Sequence, residues 1–331
     1  MIEINSGIRI GSDIIIDPTR KHPRAFVSHA HSDHLRNHNI IHATEITIRL
    51  ARSRVSKFTA VPLEYGKTYA FDSAKIRPEP AGHILGSAQF IIDWLNCRIV
   101  YTGDFKLGHN ETCRPAQIHE CDILFMDTTF GRGDFSFPDY QFLTQKLLEF
   151  VDACLHKSTI PVIYAYTLGK SQEVMKILGD NGFRTYVTPE TYEYAQIYRE
   201  HGVSIENFEI MGESYPENGA VILPPSSRHI PEVIYRARKK TCFVSGWAMS
   251  GNKFISGRFD EAIPLSDHAS YEQLLEYVEV ARPKKIFCLF GFQEIVDDLK
   301  RRGYDAARAS LAGPKNRQNS DLFIKDLFST S

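Results

Sequence analysis

The sequence predicts a mixed α/β protein in which a β-rich host domain is interrupted by an inserted α/β domain. The chain has 331 residues, a length that fits two domains or one large domain with an insertion. Short apolar runs dominate the first 130 residues, whereas strand–turn–helix units follow from about residue 140. We therefore expect residues 1–136 and 262–331 to form the two parts of the host domain, and residues 137–261 to form the insertion.

Short apolar runs, separated by polar or glycine-containing segments, predict the strands of the first host segment. They lie at residues 14–16, 25–28, 90–94, 98–101 and 123–126. Helical spacing is rarer in this part of the chain. Residues 35–53 are predicted as one helix that begins after Asp33, a residue type suited to a helix start.

The insertion and the last segment alternate helices with buried strands. Residues 140–156 have apolar side chains at helical spacing, residues 160–165 predict a buried strand, and a second helix follows the turn Leu168-Gly169-Lys170. Beyond residue 262 the pattern predicts strands at 263–265 and 286–289 and helices at 271–281 and 294–301. Motifs in this last segment complete those of the first 130 residues, so an insertion explains the pattern better than two tandem domains.

Composition and charge are those of an ordinary globular protein in a reducing compartment. Hydrophobic residues make up 43% of the chain, and a net charge of −1 gives no overall positive field that would indicate a nucleic-acid partner. The six cysteines are scattered without a CxxC pair, which favours free thiols over disulfides or a cysteine zinc site. No apolar run approaches the ~18 residues of a membrane helix, and the first residues lack a signal-peptide pattern. We expect a soluble cytoplasmic protein that does not bind a membrane.

The densest cluster of residues with metal-binding chemistry is HAHSDH at positions 29–34, directly after the apolar pair Phe26-Val27. Imidazole nitrogens and carboxylate oxygens are ligands for zinc and similar metals. In an extended chain His29 and His31 point to one side. Asp33 and His34 follow as the chain turns, and they can face a second metal close to the first.

Further candidates lie at a strand end or at a tight glycine turn. They are His83 in PAGHILGSAQF, Asp104 in IVYTGDF and Asp17 at the end of IIID. Four protein ligands are usual for zinc, and the sequence supplies them as His29, His31, His83 and Asp104. Asp33 and His34 remain for a second metal, with Asp104 able to bridge the two. Asp17 allows two interpretations, a residue that orients a metal-binding histidine or a cap on its own strand end.

The motifs HAHSDH, PAGHILGSA and YTGDF resemble the metal-binding motifs of the metallo-β-lactamase fold. This resemblance implies an αββα sandwich with metal ions at one edge of the sheets. Longer segments resemble the β-CASP nucleases, in which an α/β cap domain is inserted: LFMDTTFGRGDFSFPDY, VIYAYTLGKSQEVM and IPLSDHASYEQLLEYVEVARPKKI. The first of these is similar to a segment of the Artemis-like DNA cross-link repair nucleases. The arrangement of FVSGWAMSG and SDHAS is similar to that of prokaryotic ligase-associated exonucleases.

The resemblance implies a metal-dependent phosphodiesterase that hydrolyses DNA, as an exonuclease, with a metal-bound hydroxide at an active site between the two domains. It implies one or two Zn²⁺ per chain, with Mn²⁺ or Mg²⁺ as alternatives at the second site, and a catalytic as well as metal-binding role for Asp33. It also implies that His268 protonates the leaving oxygen, that Asp127 orients His268, and that Ser266 contacts the substrate. The simpler alternatives stay open, namely a helix-start residue for His268 and a strand-end cap for Asp127.

One departure from the family pattern bears on the substrate. RNA-processing β-CASP enzymes have a metal-binding histidine at the strand end where this chain has Phe290, and DNA-type members have an apolar residue there. The resemblance therefore favours DNA over RNA and leaves the second metal with fewer protein ligands. An RNA exo- or endonuclease of the mRNA 3′-end-processing type is the alternative. A nucleic-acid-binding scaffold without activity and a small-molecule hydrolase are further alternatives, and the sequence indicates no protein partner.

The turn Thr167-Leu168-Gly169-Lys170 places backbone N–H groups and a lysine at a predicted helix start. Such a turn suits a phosphate because the N–H groups and the positive end of the helix dipole face it. Thr167, Gly169 and Lys170 are therefore candidate substrate-binding residues, and a terminal phosphate held there would favour exonuclease action. A plain strand–helix turn explains the same residues equally well.

Overall fold

A computed structural model describes residues 1–55, 57–71, 74–212, 218–225, 232–250 and 257–311, which fall into two compact units. Unit 1 contains Met1–Gly108, Arg114–Gly133 and the described residues from His268 onwards, and unit 2 contains His109–Cys113 and the described residues within Asp134–Asp267. The chain therefore leaves unit 1 twice, once for a short excursion and once for the main insertion. Gly251, the last residue of FVSGWAMSG, lies outside the described residues.

The first sheet of unit 1 follows the chain in order. Its strands are β1 (Ile2–Ile4), β2 (Ile8–Ile10), β3 (Ile14–Ile16), β4 (Arg24–Phe26), β5 (Ile40–Thr44) and β6 (Thr59–Leu63). The first three pair antiparallel, and β3 to β6 pair parallel. Helix α1 (Glu45–Arg52) begins after Thr44, whose hydroxyl oxygen accepts a hydrogen bond from the backbone N–H of Thr47.

The second sheet of unit 1 combines an antiparallel half with a parallel half. Its strands, in sheet order, are β19 (Ala306–Ala309), β18 (Lys285–Leu289), β11 (Ile123–Asp127), β10 (Cys97–Tyr101), β9 (Ala88–Trp94), β8 (Ala74–Pro80) and β7 (Tyr69–Phe71). Strands β10, β11, β18 and β19 run parallel, and β7 to β10 run antiparallel. The last segment of the chain thus returns to the sheet that the first segment began.

Both sheets of unit 1 contribute to one apolar core. Ile16 and Phe26 of the first sheet belong to the same buried cluster as Phe90 and Phe125 of the second. The alternate residues of β11, such as Leu124, belong to another cluster that includes residues of α6 (Tyr271–Ala281) and α7 (Gln293–Arg301). Because successive side chains of a strand point to opposite faces, β11 has one face on each cluster.

Parallel pairing brings several strand ends to one edge of unit 1. Tyr101 at the end of β10 pairs with Phe125, and Asp127 at the end of β11 pairs with Leu289 at the end of β18. The chain leaves these strands toward Asp104 and Phe290. In parallel sheets ligands bind outside the carboxyl ends of the strands, so this edge is where a site is expected.

Unit 2 is built on one parallel sheet. Its strands, in sheet order, are β14 (Phe208–Ile210), β13 (Arg184–Val187), β15 (Gly219–Leu223), β12 (Ile160–Tyr164), β16 (Lys239–Val244) and β17 (Glu261–Ile263). Its helices are α2 (Tyr140–Leu155), α3 (Lys170–Asp180), α4 (Pro189–Glu200) and α5 (Glu232–Arg236), with a 3-10 turn at Gly246–Met249. Helix α2 begins after Asp139, whose carboxylate accepts backbone hydrogen bonds from the first turn.

The prediction of a mixed α/β fold is confirmed, and two local predictions need correction. The helix predicted at 35–53 is confined to α1, because residues 40–44 form β5, which pairs with β4 on one side and β6 on the other. The strand predicted at 263–265 is β17 (Glu261–Ile263), and it pairs with β16 in the sheet of unit 2. Strand β17 therefore lies in unit 2, whose main segment is Asp134–Asp267, whereas the sequence predicts an insertion over residues 137–261. None of the helices in the described ranges has the length and apolarity to cross a bilayer.

Candidate metal centre and catalytic site

The predicted metal ligands of unit 1 lie in the segments that follow its strands. The HAHSDH segment comes after β4, the turn with His83 joins β8 to β9, and Asp104 follows β10. The structure brings His29, His31, His83 and Asp104 together, with one ligand atom of each within 4.8 Å of all the others. Asp33, His34 and Asp104 form a second group by the same measure. Both groups match the two ligand sets expected from the sequence.

Two buried imidazole nitrogens in this cluster have no hydrogen-bond partner among the described residues. They are Nε2 of His29 and Nε2 of His34, in side chains that are 0% and 2% exposed. Asp104 oxygens lie 3.6 Å from the first nitrogen and 3.3 Å from the second. A buried polar atom without a partner costs free energy, and a metal ion would satisfy both atoms. The donor set of imidazole and carboxylate groups therefore fits zinc or a similar metal.

The carboxylate of Asp104 faces both ligand groups with different oxygens. Its Oδ2 atom lies 3.6 Å from Nε2 of His29 and 3.7 Å from Nε2 of His83, whereas its Oδ1 atom lies 3.3 Å from Nε2 of His34. Asp33 Oδ2 lies 3.7 Å from the same His34 nitrogen, and the Asp33 side chain is 68% exposed. Asp104 thus faces both groups with one oxygen each, and Asp33 is the most exposed carboxylate of the second group.

Asp17 sits beneath the second group and accepts four hydrogen bonds. The donors are the backbone N–H of Ser28 (2.8 Å), the hydroxyl of Ser28 (2.5 Å), the hydroxyl of Tyr101 (2.6 Å) and Nδ1 of His34 (2.8 Å). Because Nδ1 of His34 donates to Asp17, the neutral form of the ring has its lone pair on Nε2, which faces Asp104. Asp17 therefore holds the ring of His34, a candidate metal ligand, which is the contact that one of its two interpretations requires.

The charges around the cluster push the pKa values of its members in different directions. Burial and the neighbouring His34 lower the pKa of His29 well below its usual value, so His29 is neutral and able to bind a metal. Burial opposes the charged form of His34, but Asp104 and Asp17 outweigh burial and raise its pKa. For Asp104, burial is outweighed by His34 and His29, which hold its pKa well below the usual range.

His268 and Asp127 form a pair beside the first group. Nδ1 of His268 lies 2.8 Å from Oδ2 of Asp127, and the His268 ring centroid lies 4.5 Å from that of His83. The other carboxylate oxygen of Asp127 accepts hydrogen bonds from the backbone N–H and hydroxyl of Thr129, at 2.9 and 2.7 Å. Asp127 therefore caps its strand end and also holds the His268 ring, so both interpretations of Asp127 describe real contacts.

Phe290 follows β18 and lies beside the second group. Its ring centroid is 5.7 Å from that of His34, and its side chain is 39% exposed. The backbone of Phe290 has a φ of 61°, in the left-handed region. An aromatic ring thus lies next to the second group, where it offers no metal ligand.

The residues predicted to hold a phosphate lie in unit 2. Gly169 precedes α3 with a φ of 91°, and its N–H donates to the side chain of Gln172 at 2.7 Å. Lys170 is 1% exposed, and its ammonium pairs with the carboxylate of Glu173. This pairing corrects the expectation that Lys170 offers a point charge to a phosphate, because Glu173 already neutralises it. Thr167 lies in the same turn, half-buried, and Ser266 is 5% exposed.

The contact of Asp127 with Thr129 belongs to its interpretation as a strand-end cap. Sequence reasoning missed the residues that hold Asp17, which are Tyr101 and Ser28. Each is next to a motif in the sequence, and a hydroxyl group beside a ligand at a strand end is the signal that was available. Arg36 and Arg308 line the cavity beside the second group.

Comparison with known proteins finds relatives of this chain. No family model matches the chain. A probable DNA ligase of Opitutus terrae is 33% identical over 287 residues, which are 86% of this chain and 28% of the relative. The endoribonuclease ysh-1 of Neurospora crassa is 24% identical over 54% of this chain and 18% of its own. The DNA cross-link repair protein SNM1 of Arabidopsis thaliana is 24% identical over 79% of this chain and 59% of its own. This chain therefore spans less than two thirds of the length of each of the three.

Proposed function

The chain belongs to the β-CASP nucleases of the metallo-β-lactamase fold, and we propose that it is a metal-dependent phosphodiesterase that hydrolyses DNA as an exonuclease. Unit 1 is then the αββα sandwich of that fold, and unit 2 is the β-CASP cap. Two packed sheets that share a core, with α6 and α7 contributing to a second cluster on the other face of one sheet, support this assignment.

The observation that carries the proposal is the pair of unpartnered nitrogens on His29 and His34, both facing the oxygens of Asp104 in the described part of the chain. His29, His31, His83 and Asp104 would hold one metal ion, which we propose to be zinc. Asp33 and His34, with Asp104 shared, would hold a second ion, for which zinc, Mn²⁺ and Mg²⁺ are candidates. When bound, these ions would supply a water of lowered pKa and neutralise charge on the phosphate.

The chain's own residues then have three tasks. Asp17 fixes the ring of His34, so that Nε2 faces the metal position. Asp127 fixes the ring of His268 through Nδ1, and a proton for the leaving oxygen would be delivered from the other ring nitrogen. The hydrogen bonds from Thr129 hold the Asp127 carboxylate in place while this happens.

The choice of DNA over RNA rests on Phe290. Its phenyl ring stands beside His34, where it adds no ligand to the second metal. The relatives' names point to both substrates, since SNM1 is a DNA cross-link repair protein and ysh-1 is an endoribonuclease. RNA cleavage is therefore the second candidate function.

A matched digestion tests the proposal. Zinc-loaded protein is incubated with single-stranded DNA and RNA of one sequence, labelled at either end, with and without a chelator. We expect stepwise shortening of DNA that the chelator abolishes, and the end that shortens gives the polarity. Preferential cleavage of RNA would instead contradict the DNA hypothesis and support the RNA-processing function.

Variants separate the site from contaminating nucleases in that assay. His31→Ala and Asp33→Ala remove a ligand from each metal group, and we expect DNA cleavage to fall by at least about a hundredfold, because each group then lacks a ligand. His156→Ala is the matched control, because His156 is 76% exposed on unit 2. Equal rates in all four proteins would rule out this metal site as the source of activity.

A further inference from the structure

A cavity of about 310 Å³ lies in unit 1 next to the second metal group. Asp33 and His34 of that group form part of its wall, and Arg36, Phe290 and Arg308 form other parts. The wall therefore joins a predicted metal position, two guanidinium groups and an exposed phenyl ring. The volume lies at the lower end of ligand pockets, ~300–1,000 Å³, which suits a single nucleotide unit.

The two guanidinium groups are held in place by main-chain carbonyl oxygens. Arg36 donates to Thr19 O at 3.2 Å and to Leu35 O at 3.0 Å, and Arg308 donates to Gly291 O at 3.2 Å. Within the described ranges, neither Arg36 nor Arg308 forms an ion pair with a carboxylate. Carbonyl oxygens orient a guanidinium without cancelling its charge, so both arginines keep donors and a full positive charge for an anion.

The two carboxylates of the cavity wall, Asp17 and Asp33, already interact with other residues. Asp17 is 1% exposed and accepts four hydrogen bonds from Ser28, Tyr101 and His34. Asp33 faces His34 at 3.7 Å, as a candidate ligand of the second metal. With a metal bound there, the cavity carries an excess of positive charge. Its chemistry is that of a phosphate site and not that of a cation site.

Phe290 gives the cavity an apolar surface. Its side chain is 39% exposed and forms part of the cavity wall. Its backbone is fixed in the left-handed region, and the hydroxyl of Thr128 lies 3.1 Å from its carbonyl oxygen. An exposed aromatic ring beside arginine groups is the usual platform on which the base of a single strand stacks.

We propose that this cavity is the subsite for the nucleotide that adjoins the hydrolysed phosphate of single-stranded DNA. Arg36 and Arg308 bind the phosphate of that nucleotide, and Phe290 packs against its base. The proposal rests on the proposed nuclease function and deepens it, because it names the part of the substrate that this wall of the site holds. Phe290 then has a positive role in binding DNA, beyond the absence of a metal ligand.

Steady-state kinetics on oligothymidylate test the subsite. We expect Arg308→Gln to raise KM at least fivefold with kcat within about twofold of the wild type. Removing one cation that binds a phosphate of a single strand lowers the slope of log affinity against log salt by about 0.7, so the salt dependence should weaken by that amount. Arg301→Gln is the matched control, because Arg301 is 76% exposed on α7 and outside the cavity wall.

The stacking contact is tested by conservative replacements. Phe290→Leu keeps an apolar side chain but removes the aromatic face, and we expect at least fivefold weaker DNA binding, since a stacked base contributes ~1–3 kcal/mol. Phe290→Trp keeps an aromatic face, so its DNA binding should be close to that of the wild type. Zinc content is measured for every variant, Arg36→Gln included, because Arg36 is close in sequence to Asp33 and His34.

The outcomes separate the subsite from the proposed function. If the wild type cleaves DNA while Arg308→Gln and Phe290→Leu match Arg301→Gln in KM and salt slope, the subsite is wrong and the nuclease function stands. If the wild type shows no chelator-sensitive cleavage, the nuclease function is wrong. Binding of labelled oligothymidylate by fluorescence anisotropy then decides the subsite on its own: weaker binding by the two variants supports it, and equal binding overturns it.

Discussion

At the scale of single residues, the carboxylate of Asp17 links two parts of unit 1. It collects hydrogen bonds from Ser28 after β4, from His34 beyond it and from Tyr101 at the end of β10. All of these partners donate, so an ionised carboxylate is the group that matches them. Asp17 itself has a φ of 41°, a conformation that non-glycine residues adopt rarely, and its four hydrogen bonds offset that cost.

Asp17→Asn should weaken the second metal group without unfolding unit 1. The new side-chain amide keeps only one acceptor oxygen, so its NH₂ group faces at least one of the four donors, and the negative charge that holds the Nδ1–H of His34 is lost. Removing such an outer partner of a metal ligand typically lowers metal affinity or activity about 10- to 100-fold. The measurement is metal affinity by titration together with the DNA cleavage rate.

Asp305→Asn is the control for that experiment, since Asp305 is 60% exposed and pairs with Lys285. Circular dichroism of both variants shows whether the fold is kept. Metal affinity and rate equal to those of the control would mean that Asp17 only caps its strand end.

The residues of the two candidate ligand groups could be picked out from the sequence, whereas the contacts that hold Asp17 could not. HAHSDH places its side chains by local geometry alone, because they are neighbours in the chain. Tyr101 reaches Asp17 across 84 positions of sequence, and that contact depends on how the two sheets pack. Arg308 likewise joins the cavity only because β19 pairs with β18.

At the scale of secondary-structure elements, the start of α1 is tied to the turn that carries His83. The hydroxyl of Thr44 donates to Gly86 O at 2.6 Å and accepts from the N–H of Thr47 at 3.1 Å. The hydroxyl of Thr47 also donates to Gly86 O, at 2.9 Å. Helix α1 therefore fixes the position of the PAGHILGSA turn.

Thr44→Val should lower the free energy of unfolding by about 1–2 kcal/mol, because a helix cap and a buried hydrogen bond are removed together. It should also weaken zinc binding, since the turn with His83 loses one of its anchors. Urea unfolding of the metal-free protein measures the first effect, and zinc titration measures the second. Thr59→Val is the control, because Thr59 is exposed on β6. Stability equal to that control would show that the contact with Gly86 contributes nothing.

The error in predicting this element has a physical cause. Residues 35–53 carry apolar side chains at positions that suit a helix, but Ile40 and Ile41 pair on both sides with neighbouring strands. Pairing between strands is a non-local interaction and overrides helical spacing over so short a range. Thr44 is both the last residue of β5 and the N-cap of α1.

At the scale of the whole molecule, the alternation of elements predicted the mixed α/β fold and the existence of an insertion. The limits of the insertion depended on pairing that no local pattern shows, as β17 joins the sheet of unit 2. The excursion at His109–Cys113 was also invisible in the sequence, and it is explained by contacts such as that of His109 with Tyr140, whose ring centroids lie 5.0 Å apart. Lys170 is a different case, because its partner Glu173 lies three residues along the same helix, so a local signal for this ion pair was present in the sequence.

The stability of the whole molecule toward acid depends in part on His42, a buried imidazole away from the predicted metal ligands. It is 6% exposed, stacks on Phe26 at 4.7 Å, and makes no hydrogen bond to the described residues at either ring nitrogen. Burial, and then the nearby Arg24, lower its pKa from 6.5 to about 4. The folded protein therefore binds a proton at His42 only at a lower pH than the unfolded chain does.

Replacing His42 by Leu should remove one part of this acid sensitivity. Between pH 6.5 and about 4 the unfolded state binds a proton at His42 that the folded state does not. The free energy of unfolding, and so the stability, therefore decreases as the pH falls through this range. The slope from one such group is at most about 1.4 kcal/mol per pH unit. His42→Leu should show a shallower decline than the wild type, and His156→Leu, at a position 76% exposed, should not. Urea unfolding from pH 7 to pH 4 in the presence of a chelator measures both, because without metal the protonation of the ligand histidines affects all three proteins alike. Parallel curves for the three would mean that His42 keeps an ordinary pKa in the folded protein and that water reaches its ring.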